Sequence, residues 1–227
     1  MNIKVCVSLP SKTIDEAVRL VEKAEAQNAD LIEIRLDSLK KHDKLIDITQ
    51  SSNLPFVATN KSTKNHGSFS GNEEDCQRVL MNAARNGFQY VDVDLYTPNT
   101  KEIIDNLREV GVKPIVSFHD FNKTPIMSKL NEVLEQEIEA GAAVCKIVTT
   151  ANHIEDNLAT LNLVSAASKK TKIVCFAIGE LGKPSRLLSP VFGAFFTFAS
   201  IDEKRKTAKG QLTIQEITQA YEALGLK

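Results

Sequence analysis

Lys146 stands inside an apolar, β-branched run, Ala142-Ala143-Val144-Cys145-Lys146-Ile147-Val148. A run of this kind reads as a strand covered on both faces, where an ammonium group is costly unless it is paired, neutral or turned toward a wet mouth. A lysine that gives up its proton is a nucleophile. Its amine attacks carbonyls to form Schiff bases, and burial is one way of lowering its pKa from about 10.4 toward neutrality. His119 closes a second apolar strand pattern, Ser117-Phe118-His119, and alone among the four histidines it occupies a strand end. A lone histidine there is either a satisfied core residue or a general acid/base, and the strand-end position favours the second. Together the two residues suit imine chemistry, with one forming the covalent adduct and the other moving protons.

Other polar residues fall at comparable places. Glu33 and Arg35, two apart on one strand, project to the same side, either as an ion pair closing a barrel or as substrate contacts. Asp92 and Asp94 share a face in the same way, and a structural polar network and a functional role are evenly balanced for them. Arg186, in Gly182-Lys183-Pro184-Ser185-Arg186, offers a planar fork for a carboxylate, against the alternative of a solvated surface arginine. His42 and His153 lie in polar flanking sequence, and His66 falls in a long loop. No histidine or carboxylate pair shows metal-ligand spacing, so no metal is expected.

The elements that must position these residues alternate regularly. Strand patterns cover residues 3–9, 31–35, 55–59, 90–94, 112–118, 142–150, 171–178 and 194–198. Helical patterns cover 13–27, 43–50, 73–86, 97–111, 126–140, 152–168, 184–189 and 213–224. Thr13 to Glu16 and Thr213 to Glu216 have capping-box spacing, and Thr97-Pro98 resembles an N-cap followed by proline at the first helical position. Eight strands alternating with eight helices, with no linker, predict a single-domain (β/α)8 TIM barrel over residues 1–227. No glycine-rich dinucleotide fingerprint follows the first strand, which argues against an open doubly wound sheet. A barrel places chemistry at the C-terminal ends of its strands and in the loops that follow them. The polar loop at 60–72 and the charged segment at 202–211 would then stand over the mouth. The latter reads as a solvated loop that could also close as a lid.

Composition bounds the partners. The chain has 227 residues, 42% hydrophobic and 25% charged, and its 28 Lys+Arg against 29 Asp+Glu leave a net charge of -1. No global basic field invites nucleic acid or an anionic membrane, so an anion must be held by local placement. Neither a leader-like start nor a long apolar run is evident, and a cytoplasmic protein is expected. Cys6, Cys76, Cys145 and Cys175 are scattered without paired spacing and read as reduced thiols.

Five local patterns, in one order along the chain, resemble the type I 3-dehydroquinate dehydratases of the shikimate pathway. They are Glu33-Ile34-Arg35-Leu36-Asp37, then Ser117-Phe118-His119-Asp120-Phe121 with Lys123-Thr124-Pro125, then Cys145-Lys146-Ile147. Pro184-Ser185-Arg186 with Val191-Phe192-Gly193, and Ala208-Lys209-Gly210-Gln211, complete the set. The resemblance implies a hydro-lyase in which Lys146 forms the Schiff base with 3-dehydroquinate and His119 acts as acid and base. It further implies that Arg186 binds the substrate carboxylate and that Ser8, Glu33, Arg35, Lys61, Thr207 and Gln211 hold hydroxyls or line the pocket. It implies no metal or organic cofactor, and commonly a homodimer.

The loop after the third strand departs from the family pattern of an arginine, a serine and a glutamate before two glycines. Here it reads Lys61-Ser62-Thr63-Lys64-Asn65-His66-Gly67. Lys61 keeps the charge without the bidentate fork, and Asn65 cannot supply the carboxylate that orients the histidine. A class I aldolase uses the same lysine chemistry and is the enzymatic alternative; a catalytically silent barrel binding a metabolite is the other.

Overall fold

The computed structural model describes residues 3–226; Met1, Asn2 and Lys227, which the sequence reading includes in the barrel, lie outside them. Eight parallel strands follow one another around a nearly closed barrel: β1 (Val5–Pro10), β2 (Leu31–Arg35), β3 (Phe56–Thr59), β4 (Tyr90–Asp94), β5 (Lys113–His119), β6 (Val144–Thr150), β7 (Ile173–Ile178) and β8 (Thr197–Ser200). From β1 to β7 each strand pairs with the next in sequence, and β8 pairs with β1, Val5 opposite Thr197. Between β7 and β8 the seam is drawn together by the Phe195 amide, which donates to the Ile173 carbonyl at 2.7 Å. Helices cover the outside: α1 (Ile14–Ala26), α2 (Leu45–Thr49), α3 (Glu73–Arg85), α4 (Thr100–Glu109), α5 (Met127–Ala140), α6 (Asp156–Ala167), α7 (Lys183–Leu188) and α8 (Ile214–Ala223).

The alternation of side chains sorts the core into an inside and an outside. The lower barrel is filled by Cys6, Leu31, Val57, Tyr90, Ile115, Val144, Val174, Phe196 and Phe198. The next residues on the opposite face pack against helices: Cys145 and Ile147 of β6 join Leu130 and Leu134 of α5 and Leu163 of α6. With Cys145 outward, Lys146 is forced inward. The apolar floor keeps water out from below and leaves the polar residues gathered at the C-terminal mouth.

The ends of several elements differ from the sequence pattern, each for a local reason. Helix α8 carries the expected reciprocal capping box of Thr213 and Glu216. In α1 only half of it forms, because Thr13 caps the Glu16 amide while the Glu16 carboxylate reaches the Lys12 amide at 2.9 Å. Helix α4 starts at Thr100 rather than Thr97. The Asp94 carboxylate and carbonyl hold the Tyr96 and Thr97 amides in a turn, and Asn99, a residue that tolerates it, enters the helix at φ 60°. In α6 the Asp156 carboxylate takes the Asn152 and His153 amides into a separate turn, which delays the helix to Asp156. Strand β8 is displaced toward Ser200 because its partner on β1 begins at Val5, so that the small residues Ala199 and Ser200 pair with Val7 and Ser8. Segment 60–72 forms a strap. It contains a 3-10 turn at Thr63–Asn65 and a bridge between Ser62 and Phe69.

Candidate active site

The mouth of the barrel opens into a cavity of about 450 Å³. Lys146, His119 and Arg186 all line it, as do Glu33, Arg35, Lys61, Thr207 and Gln211. Eight of the nine residues expected from the sequence are therefore brought to one space by six different elements and loops. The ninth, Ser8, is not in the lining. It is buried beneath, and its hydroxyl donates to the Glu33 carboxylate.

Lys146 is paired. Its Nζ lies 2.6 Å from Asp92 Oδ2 and 4.0 Å from Glu33 Oε1, with the Phe198 ring centroid 4.6 Å away. Burial by itself would lower the lysine pKa, but Asp92, and after it Glu33, outweigh that effect and hold it above its ordinary value. The resting residue is thus an ammonium ion, and the low pKa that burial could have produced is absent. Asp92 also meets Lys61, whose Nζ is 2.7 Å from Oδ1. Burial would raise the Asp92 pKa, yet the two lysines hold it far below the usual carboxylate range. Ser117 completes the cluster, accepting from Lys61 Nζ at 2.8 Å and donating to Asp92 Oδ1 at 2.7 Å.

His119 stands on β5 beside this charge cluster. Ser117 is in register with Lys146, so His119, two residues further along, sits one inward position nearer the mouth. Burial, then the positive charges of Lys61 and Lys146, push its pKa well below the ordinary histidine value. A neutral imidazole is a base ready to accept a proton at pH 7. Its backbone is held by the following turn: the Asp120 amide donates to the Val148 carbonyl at 2.9 Å, and the Asp120 carboxylate accepts from the Asn122 and Lys123 amides.

Two arginines differ in what they lack. Arg35 is gripped by Asp37 through two bonds, Nε to Oδ1 at 2.9 Å and Nη2 to Oδ2 at 2.7 Å, and its pKa is raised despite burial. Arg186 is 1% exposed and has no carboxylate partner among the described residues. One nitrogen reaches the Phe198 carbonyl at 3.4 Å, Nε and Nη2 have no hydrogen-bond partner, and the guanidinium lies 4.2 Å over the Phe176 ring. Burial lowers its pKa to about 9. A desolvated, unpaired fork facing a cavity is built to receive a planar anion.

The segment after β8 closes one side. Gln211 Oε1 accepts from both the amide and the hydroxyl of Thr207, at 2.7 and 3.1 Å. Gly210, at φ 71°, passes so near β7 that an added Cβ would lie 2.0 Å from the Gly179 carbonyl oxygen. Among the described residues, no group of three His, Cys, Asp or Glu side chains is placed to hold a metal ion. All four cysteines are free and buried, and burial pushes the Cys76 and Cys145 thiols up to about 11 and 12, away from nucleophilic use.

A sequence profile described as Type I 3-dehydroquinase matches residues 5–227. The chain belongs to the type I 3-dehydroquinase family. It is 36% identical over 200 residues to a 3-dehydroquinate dehydratase of Dehalococcoides mccartyi, with 88% of each chain covered. It is 31% identical over 226 residues to a 3-dehydroquinate dehydratase of Methanocaldococcus jannaschii, covering 98% of this chain and 100% of that one. The crystal structure of the 3-dehydroquinate dehydratase from Geobacillus kaustophilus superimposes with a TM-score of 0.91 at 23% identity, over 99% of this chain and 92% of that one.

For a type I 3-dehydroquinase, the residues that sequence reasoning left undecided or missed are informative. Asp92 proved to be the counterion of the cavity lysines; its inward parity was visible, but nothing in the spacing identified its partners. Ser117 and Asp37 were visible only as parts of motifs. Asn65 and His66, from the strap after β3, also line the cavity.

Proposed function

We propose that this chain eliminates water from 3-dehydroquinate to give 3-dehydroshikimate by way of a Schiff base on Lys146. The observation that carries the reading is the convergence of an inward-facing lysine, a neutral histidine and an unpaired buried arginine on one cavity. Arg186 takes the substrate carboxylate, which orients the ring so that its ketone carbon meets Lys146 Nζ. Glu33, Arg35, Lys61, Thr207 and Gln211 receive the ring hydroxyls.

Lys146 begins as an ammonium ion and must lose a proton before it attacks. Neutral His119 is the base beside it. The amine adds to the ketone, and His119 returns a proton as the carbinolamine hydroxyl leaves as water, which forms a protonated imine. His119 then removes the proton alpha to the imine carbon. The electron pair moves into the C–N system, and the resulting enamine expels the neighbouring hydroxyl with a proton from His119. Hydrolysis of the imine frees the product and the lysine. Asp92 stabilises positive charge at the nitrogen throughout, and the Phe198 face does the same.

Borohydride added with 3-dehydroquinate is expected to leave a mass adduct on the peptide containing Lys146, and turnover is followed by the absorbance of the conjugated product. Labelling at another residue, or a Lys146→Ala variant that behaves as wild type, would remove the reading. An aldolase acting on phosphorylated sugars would require a phosphate site, whereas Arg186 presents a single planar fork suited to a carboxylate.

The reading extends to residues 1–227 as one catalytic unit, acting in the cytoplasm as a homodimer. Among the described residues no helix is long and apolar enough to cross a membrane. Ile154, Leu158 and Leu181 are exposed, and Asn157, bonded to the Ile154 and Leu181 carbonyls, draws two of them together. Light scattering on the purified protein tests the dimer.

A further inference from the structure

His66 occupies an unusual position for a large side chain. It adopts the left-handed conformation, φ 56° and ψ 25°, in the strap after β3. Its ring lies against Phe121, with centroids 3.9 Å apart and planes tilted by 36°. Phe121 in turn is stacked on His119, with centroids at 5.5 Å and planes within 8° of parallel. No hydrogen bond from another described residue reaches the His119 ring; Asn65 and His66 are both exposed residues of the strap that line the cavity. Phe121 is the aromatic ring packed against the imidazole among the described residues.

The strap that carries His66 is tethered at both ends by residues of the site. The Ser68 amide donates to Asp37 Oδ2 at 3.0 Å, on the carboxylate that also holds Arg35. On the other side the Gly67 and Asn65 amides both return to the Ser62 carbonyl at 2.9 Å, and the Phe69 amide to the Lys61 carbonyl at 3.1 Å. The path at Gly67 is tight, since an added Cβ would lie 1.9 Å from the Lys61 carbonyl oxygen. Lys61 itself is anchored inside the barrel on Asp92 and Ser117.

We propose that His66 is a positioning residue for His119, acting through Phe121: the three rings form a stack that orients the catalytic imidazole by packing, in the absence of a carboxylate hydrogen-bonded to it. Phe121 is fixed at its backbone by the Asp120 turn, which leaves its ring rotation as the freedom that His66 removes. This inference rests on the dehydratase reading, in which His119 carries the protons. A His119 ring turned out of line would slow the proton transfers while leaving carboxylate binding at Arg186 intact.

Two variants separate packing from titration. His66→Gly suits the left-handed backbone and removes the ring; His66→Phe keeps a ring without nitrogen. Three quantities are measured: kcat and KM for 3-dehydroquinate, borohydride labelling of Lys146, and the His119 imidazole signals in NMR spectra of histidine-labelled protein. His66→Gly is expected to lower kcat about tenfold or more, move the His119 signals and change KM by less than about threefold, since misplacement on the order of 1 Å costs up to about 100-fold. His66→Phe is expected to keep kcat within about threefold of wild type. Lys146 should be labelled in every variant. Wild-type kcat with unmoved His119 signals in His66→Gly would overturn the proposal, as would a His66→Phe variant as slow as His66→Gly. Failure to label Lys146 in the wild type would instead remove the dehydratase reading, and the role of His66 with it.

Discussion

Lys146 Nζ lies 2.6 Å from Asp92 Oδ2, and this one carboxylate, through its other oxygen, also holds Lys61. The nucleophile of the proposed reaction is therefore stored as half of a buried ion pair instead of as a free amine. Two cations share one anion, with Asp94 at 3.9 Å from Lys61 and Glu33 at 4.0 Å from Lys146 as the next nearest negative charges. The arrangement keeps positive charge at the position where an iminium nitrogen would form, and it makes Asp92 important for stability as well as for chemistry.

Removing that anion leaves two buried ammonium groups short of a partner. Asp92→Asn is expected to destabilise the fold by about 3–5 kcal/mol, the cost of breaking a buried pair from one side. The sign of its pH dependence follows from a folded pKa depressed below the unfolded value of about 3.9. The wild-type contribution is complete above about pH 4 and is lost as the pH falls further. Urea unfolding at pH 7 and pH 3 checks both, with a large gap between variant and wild type at pH 7 that narrows at pH 3.

Arg186 is buried without a counter-anion among the described residues and should cost the free enzyme stability. Arg186→Met, similar in length and uncharged, is expected to stabilise the ligand-free protein by about 1–3 kcal/mol, in line with replacement of buried charges by hydrophobic residues. The same change should raise KM for a carboxylate substrate about 100-fold or more, since a charged hydrogen-bonded contact is worth about 2–5 kcal/mol. Thermal unfolding beside steady-state kinetics tests the pair, and a destabilised variant would contradict the unpaired state of the guanidinium.

Lys61 helps to keep His119 neutral. Its removal in Lys61→Met takes away the first of three cations, Lys61, Lys146 and Arg35, that push the histidine pKa down, so that pKa must rise. The acidic limb of the kcat/KM profile should then move to higher pH, whatever happens to the absolute rate. A limb that stays in place, or moves to lower pH, would show that His119 is not the group titrating there.

Glu137 is a cost borne outside the site. It faces Cys145 from α5, fully buried, with the Cys145 thiol and the Lys146 amide beside it but neither carboxylate oxygen in a well-formed hydrogen bond, and burial raises its pKa well above the ordinary value. The folded protein holds a proton that the unfolded chain releases above about pH 4.3, so this group makes stability fall as the pH rises through its raised pKa. Glu137→Met should remove that fall and stabilise the protein by about 1–3 kcal/mol at pH 8, with less gain at pH 4. Denaturation midpoints at the two pH values decide it.

Much of this molecule could be read without coordinates. The alternation of strand and helix patterns predicts the barrel, because each element's apolar period follows from the face it must bury. Strand parity turned Glu33, Arg35 and Lys146 inward, and the barrel rule sent His119 and Arg186 to the mouth. What the linear chain could not supply were distances between residues remote from one another. Asp92 and Lys146 are 54 positions apart, and only closure of the sheet shows that the carboxylate raises the lysine pKa where burial alone would have lowered it. The same holds for Arg186, whose lack of a partner is a property of everything packed around it, and for His66, which reaches His119 only through the ring of Phe121. Periodicity determined which side chains face the cavity; tertiary packing decided the charge each one carries there, because electrostatic energy depends on distance and burial, and neither is written in sequence order.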